Sequence, residues 1–246
     1  MALLEVEDLH VSFGVAKALR GVTLAVERGE SVAVLGANGA GKSTLLRALM
    51  GRVRCASGSV RWDGADITNA PTDSLVGRGL ALCPEGRQLF PAMSVRDNLL
   101  LGAYLVPSRE AAIRLDDIYR RFPLLHERRR DLAGGFSGGE QQLIAIGRAL
   151  MSKPQLLLMD EPSSGLSPIA IGHVRDILLQ VRDTGMAILL VEQNVRLATE
   201  MSRRCYVLNR GLIEVSGATA DLVEDPALAD VYLGGGVSET ASTSKT

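Results

Sequence analysis

Three glycines, a lysine and a serine stand at fixed intervals in "GANGAGKST", residues 36–44, in the spacing G-x-x-x-x-G-K-[ST]. Such a stretch can bind phosphate. Gly36, Gly39 and Gly41 allow backbone N–H groups to curl round an anion that a Cβ would obstruct. Lys42 reaches the β- and γ-phosphates, and the Ser43 hydroxyl is a ligand for Mg²⁺. Ala37, Asn38, Ala40 and Thr44 complete the candidate nucleotide cradle. A second group, "LLLMDE" at 156–161, ends four apolar residues in Asp160 and Glu161. Asp160 suits Mg²⁺ held beside Ser43, and Glu161 suits a general base that polarises the attacking water. A third run, "ILLVEQN", ends in Glu192, Gln193 and Asn194, as a strand does when it aims polar residues at a ligand.

A fourth segment, "FSGGEQQLIAIGRAL" at 136–150, opens a helix: Ser137 is an N-cap and Glu140 closes a capping box. Gly138 and Gly139 are poor helix formers, so they point to a close approach to the backbone. The chain therefore carries two anion-ready helix N-termini, one after Gly41 and one at Ser137. One nucleotide uses both when two copies of the fold face each other, which predicts an ATP-sandwich dimer.

The elements that must hold these residues follow from periodicity. "SVAVLG" at 31–36 is a continuous apolar run of the buried parallel-strand kind. "KSTLLRALMG" then has helical spacing and closes on Gly51. Residues 3–7 and 20–28 read as short strands, "GSVRWDGADI" as a hairpin about Asp63-Gly64, and 79–83 as a further strand. From Val95 to Met151 the texture is helical. "REAAIRLDDIYRRF" is expected to bury Ile113, Ile118, Tyr119 and Phe122, and the arginines at 120–121 and 128–130 to face solvent. After Pro154 come the strand "LLLMDE", a helix over 168–183, the strand "AILLVE" and the shorter strand "CYVLNRG". Strands alternating with helices give an α/β fold with a mostly parallel sheet. The expected architecture is a P-loop NTPase (RecA-like) core with a small antiparallel β subdomain and a helical insertion. It forms one domain over 1–234, with core 1–85 and 156–234, helical subdomain about 86–155, and a disordered Gly/Ser/Thr-rich tail at 235–246.

Composition removes several function classes. The net charge of −1 gives no argument for nucleic acid. Cys55, Cys83 and Cys205 form no C-x-x-C pair, so free thiols in a reducing compartment are expected. "MALLEVEDLHVSFG" carries three acids, against a signal peptide. No apolar run approaches the ~18 residues of a spanning helix, so a membrane role would need other subunits.

In this order, "GANGAGKST", "FSGGEQQ" and "LLLMDEP" resemble an ATP-binding cassette (ABC) ATPase over nearly the whole chain. The resemblance implies ABC ATPase architecture, ATP and Mg²⁺ as nucleotide and cofactor, and Ser137, Gly138, Gly139 and Glu140 acting on ATP held by the partner's loop. It implies that Phe13 in "HVSFG" stacks on adenine. Three positions depart from the usual cassette. Glu85 in "CPEGRQLFP" replaces a Gln, Ser167 an Asp, and Gln193 a His. Glu85 is expected to ligate Mg²⁺ or order a water, and Gln193 to sense the γ-phosphate as a neutral donor without a histidine's charge.

"PEGR", "GGEQQ", "GLSP", "VEQN" and the closing "VYLGGG" resemble one of the paired ATPase subunits of bacterial high-affinity branched-chain amino-acid importers. That group implies transmembrane permease subunits, a second ABC ATPase subunit in a hetero- or homodimer, and indirectly an extracytoplasmic amino-acid-binding protein. It implies a peripheral position on the cytoplasmic face of the membrane. A nucleotide-gated interaction module with slow hydrolysis and an importer of urea or short-chain amides are the alternatives. Leu89, Phe90 and Met93, beside Glu85, are the expected grip on a membrane subunit.

Overall fold

The computed structural model describes residues 2–223, and the predicted tail at 235–246, the "VYLGGG" segment and the boundary at 234 lie outside them. Strand β1 (Ala2–Phe13) and strand β2 (Ala16–Glu27) form one antiparallel hairpin of twelve residues a side. The expected strands at 3–7 and 20–28 were too short because several register shifts interrupt the alternation. The rest of the chain supplies β3 (Ser31–Leu35), α1 (Lys42–Leu49), β4 (Ser57–Trp62), β5 (Ala65–Asp66), α2 (Thr72–Gly77) and β6 (Leu80–Cys83). Then follow α3 (Val95–Leu101), α4 (Ser108–Arg121), α5 (Pro123–Glu127), α6 (Gly138–Leu150), β7 (Leu156–Asp160) and α7 (Pro168–Arg182). The described chain closes with β8 (Ala187–Glu192), α8 (Val195–Met201), β9 (Arg204–Asn209), β10 (Leu212–Ala218) and α9 (Thr219–Val223). Strand β10 carried no clear sequence signal: its residues alternate between exposed and half-buried.

Two sheets result. The first, β2-β1-β4-β5, is antiparallel; the second runs β10-β9-β3-β8-β7-β6 and is parallel except for β10. All five residues of β3, all five of β7 and all six of β8 are buried, as strands covered on both faces must be. Full burial of each Val, Leu or Ile contributes about 1.5–3 kcal/mol. The strand order matters for function. Strands β3, β8, β7 and β6 are consecutive neighbours, so the loops leaving their C-terminal ends lie side by side.

The helices between β6 and β7 share one core with the sheet. Leu99, Leu115, Ile118, Phe122, Leu125 and Ile144 join Ala81, Leu157, Met159, Ile188 and Leu190 in a single buried cluster. Helices α3 and α6 approach closely at Gly102, where an added Cβ would lie 1.8 Å from the Arg148 carbonyl. One expected core residue is not there. Ile113 is exposed, and the buried face of α4 is Ala111, Leu115 and Ile118. The Arg128 guanidinium is no solvated residue either. It lies 3.7 Å from the centroid of the Phe136 ring and pairs with Asp131 and Glu140.

Candidate active site

The phosphate loop leaves β3 and enters α1 through Gly41, whose φ of +111° only glycine adopts freely. A Cβ there would also come within 2.8 Å of the Ala18 carbonyl. Gly36 is required for a different reason: its Cβ would fall 2.3 Å from the Leu208 carbonyl. Strands β2 and β9 therefore wedge the loop from both sides. Asn38, Gly39, Gly41, Lys42, Ser43 and Thr44 line a cleft of ≈890 Å³.

Lys42 is almost wholly buried. Its Nζ donates to the Gly36 and Ala37 carbonyls at 2.8 and 3.0 Å and pairs with Glu161 Oε1 at 2.9 Å. Glu161 follows β7 directly and has a left-handed φ of +45°, a conformation that costs roughly 1–3 kcal/mol in a side-chain-bearing residue and marks functional turns. Two backbone bonds hold it there: Glu161 N donates to Val191 O at 2.9 Å, and Ser164 N donates to Glu161 O at 3.0 Å. Asp160 is buried and accepts from Ser43 Oγ at 2.9 Å. Burial pushes its carboxyl pKa up, although the Ser43 bond opposes the rise.

Glu85, beyond β6, and Gln193, beyond β8, line the same cleft with Glu161. Four adjacent strand ends thus bring together the predicted Lys42, Ser43, Asp160, Glu161, Glu85 and Gln193. The other predictions divide. Phe13 is half exposed at the end of β1, beside the cleft but outside its lining, where Val15, Lys17 and Ala18 of the same hairpin stand. Ser137, Gly138, Gly139 and Glu140 do not line this cleft. Ser137 does form the expected capping box with Glu140, and the Ser137 bonds draw the Glu140 carboxyl below the ordinary glutamate range. The chain itself crowds the two glycines. A Cβ on Gly138 would lie 2.9 Å from Leu166 and 3.2 Å from the Arg87 guanidinium, and one on Gly139 3.3 Å from Ala170. At Gly138 the neighbours are the tips of flexible side chains, and at Gly139 a Cβ would make only a tight contact, so intrachain packing alone does not account for either glycine.

The loop after Glu85 is clamped to α6. Arg148 donates to the Arg87 and Gln88 carbonyls, both at 2.7 Å, and Arg87 Nη1 donates to Gln141 Oε1 at 3.2 Å. Asn98, fully buried on α3, fixes the same loop. Its side chain accepts from Phe90 N at 2.9 Å and donates to Phe90 O, Met93 O and Ser94 O at 3.0, 3.3 and 3.0 Å. The expected partner grip is only partly available. Phe90 is half exposed, but Leu89 packs against the core and Met93 is half buried. A more apolar groove of ≈600 Å³ lies nearby, lined by Met50, Val76, Leu101, Tyr104 and Leu105. Tyr104 and Leu105 stand well exposed there.

Sequence reasoning missed Lys17, Arg20 and Arg210, which add cations to the nucleotide cleft from β2 and the β9–β10 turn. The Asn209-Arg210-Gly211 turn was the available signal for Arg210, which is left-handed there. Cys55, Cys83 and Cys205 are free and buried, and burial pushes the Cys83 thiol up to about 12. Among the described residues no helix is long and apolar enough to cross a membrane.

A six-stranded, mostly parallel sheet with a P-loop after one strand and an acidic pair two strands away defines an α/β P-loop ATPase of the cassette type. The chain belongs to the ABC transporter family, whose profile matches residues 19–164. It is similar to the high-affinity branched-chain amino acid transport ATP-binding protein BraG of Pseudomonas aeruginosa, with 42% identity over 95% of this chain and 100% of that one. It is also similar to a probable branched-chain amino acid transport ATP-binding protein, LivF of Archaeoglobus fulgidus, at 34% identity over 93% of this chain and 94% of that one. The lipopolysaccharide export system ATP-binding protein LptB of Escherichia coli K12 is 32% identical over 95% and 98%. Among solved structures, the ADP conformation of MJ1267, an ATP-binding cassette of an ABC transporter, superposes with a TM-score of 0.85. That pair is 28% identical over 95% of this chain and 99% of that one.

Proposed function

We propose that this chain hydrolyses ATP to power a membrane importer of branched-chain amino acids, working as one half of an ATP-sandwich dimer. The observation that carries the chemistry is the buried Lys42–Glu161 pair at the mouth of the phosphate loop. A γ-phosphate entering the cradle competes for Lys42 and releases the Glu161 carboxylate. Glu161 then accepts a proton from the attacking water while Gln193 donates to the γ-phosphate. Ser43 Oγ and Asp160, which share a hydrogen bond, and Glu85 in the same cleft region would hold Mg²⁺ through oxygen donors, the kind that suits a hard ion. When bound, it supplies neutralisation of the β- and γ-phosphate oxygens.

The ring of Phe13, free of the core, is available to an adenine face. Ser137 to Glu140 are exposed or half-buried at the start of α6, apart from Gly139, and stand outside the chain's own cleft. That favours action on a nucleotide held by a second ATPase subunit. The groove of Leu101, Tyr104 and Leu105 suits an amphipathic helix of a permease subunit, and Arg148, which also lines it, grips the loop that follows Glu85. The protein then sits peripherally on the cytoplasmic face of the membrane, fed indirectly by an extracytoplasmic binding protein. The amino-acid substrate rests on BraG and LivF.

The test is reconstitution of the chain with its permease subunits, sister ATPase and binding protein in liposomes. Labelled leucine uptake should require ATP. Urea-driven or acetamide-driven ATPase without a leucine response would assign the alternative cargo, and absence of hydrolysis in the full complex would favour the nucleotide-gated module.

A further inference from the structure

Glu192 is the last residue of β8 and only 1% exposed. Its carboxylate has no cationic partner among the described residues. Instead, four neutral donors converge on it. Oε1 accepts from Ser163 N at 2.9 Å, and Oε2 accepts from Ser163 Oγ, Gln193 N and Asn194 N at 2.9, 3.0 and 3.1 Å. An ionised carboxylate in the interior is costly unless such bonds satisfy it. Burial raises its pKa, and the four bonds oppose that rise. A valine would fill a buried strand end at lower cost, so the carboxylate earns its place by what it joins.

It joins two loops. On one side is Ser163, two residues past Glu161 in the turn that holds Glu161 at φ +45° against Lys42. On the other is the turn that presents Gln193 to the cleft. We propose that Glu192 is a positioning residue, a two-armed brace that fixes the Glu161 turn and the Gln193 turn relative to each other. This rests on the reading that Glu161 and Gln193 act on bound ATP. Glu192 does not line the cleft; it sets where Glu161 and Gln193, which do, stand. Misplacing a general base by an ångström costs orders of magnitude in rate while leaving ground-state binding alone.

Glu192→Gln separates the arms. Three of the four donors point at Oε2, so the amide oxygen takes that position and the NH₂ is forced against Ser163 N–H. The Gln193 arm survives and one Ser163 bond is lost. We expect Glu192→Gln to lower kcat for ATP at least about tenfold, with KM changed less than about threefold. Ser163→Ala, a lighter change that removes only the Oγ arm, should lower kcat severalfold and keeps the test valid if Glu192→Gln folds poorly. The discriminating measurement is the double-mutant cycle of Glu192→Gln with Ser163→Ala. Shared action through one brace gives a kcat loss clearly smaller than the product of the single losses. A purely structural role instead lowers the melting temperature and leaves kcat per folded molecule within twofold of wild type. That result, or multiplicative losses, overturns the proposal. An inactive wild-type complex would overturn the ATPase reading beneath it, and the proposal with it, whereas active wild type beside fully active variants overturns the brace alone.

Discussion

Replacing Glu161 by Gln separates stability from catalysis. The carboxylate lies 2.9 Å from Lys42 Nζ, and the two side chains are 14% and 3% exposed. Removing one partner of a buried pair typically costs about 3–5 kcal/mol because the other charge is stranded. Here the cost is smaller. Lys42 keeps the Gly36 and Ala37 carbonyls at 2.8 and 3.0 Å, and the Gln amide oxygen still accepts a hydrogen bond. A loss of about 1–2 kcal/mol follows, or about 2–8 °C in melting temperature for a chain of this size. Catalysis loses far more, since an amide cannot take the proton of water: general-base removal costs about 10²–10⁴-fold. The assay is phosphate release by the assembled complex beside thermal unfolding with and without ATP. ATP at a hundred times its Kd should raise the stability of the variant by about 2.7 kcal/mol, as it does for wild type. Hydrolysis within tenfold of wild type would refute the assignment of Glu161 as base. So would a rate loss accompanied by loss of ATP-induced stabilisation, because the defect would then lie in binding.

Asn98→Ala should destabilise the protein by about 4 kcal/mol, near 1 kcal/mol net for each of its four lost bonds, and it orphans the Phe90 N–H; thermal unfolding checks this. Ser137→Ala should cost about 1 kcal/mol at pH 7 through the lost cap. The Glu140 pKa is depressed on folding, the Ser137 side-chain bond being its largest lowering cause, so the part of the contribution that acts through the carboxylate is present above the ordinary glutamate pKa and lost as pH falls through the lowered value. Urea midpoints of the two proteins should therefore draw closer in acid without meeting, because the bond from Glu140 N to Ser137 Oγ does not titrate. Leu105→Asp, at a half-exposed groove position, should leave folding within about 0.5 kcal/mol but abolish co-purification with the permease subunits; retained assembly would remove the groove from the interface.

What the sequence made legible was local. The phosphate loop, the capping box and the acidic pair are each contiguous, and each carries its own chemistry within a few residues. Gln193 was singled out because it follows an apolar strand, and Glu85 because it departs from the residue that the ABC resemblance expects; both line the cleft with Glu161. Glu192 was expected to face a ligand beside Gln193 and Asn194, but it is buried outside the cleft lining and bound to Ser163, which arrives from a neighbouring strand end. Asn98 looked like any helix asparagine, and only the loop folding back onto it gives its amide four partners. Gly138 and Gly139 were recognised as leaving space at the start of α6; the nearness of Leu166, Arg87 and Ala170 to them was invisible from local spacing. On α4 the burial of Ile113 failed because the helix turns Ala111 and Leu115 to the core instead.

The order of strands has a consequence for how the protein is made. Strand β3, whose end forms the phosphate loop, pairs among the described residues with β8 and β9. Those neighbours begin at Ala187 and Arg204, so about 150 residues must be synthesised after β3 before it has a partner. At about 5–20 residues per second that interval is on the order of 8–30 s. During it the ribosome carries "SVAVL", five residues destined for complete burial, with both edges unpaired, a segment prone to self-association. The nucleotide cradle is thus translated well before the strands that complete it. A polypeptide interrupted before β8 would hold every residue of the phosphate loop and still lack the sheet that shapes it.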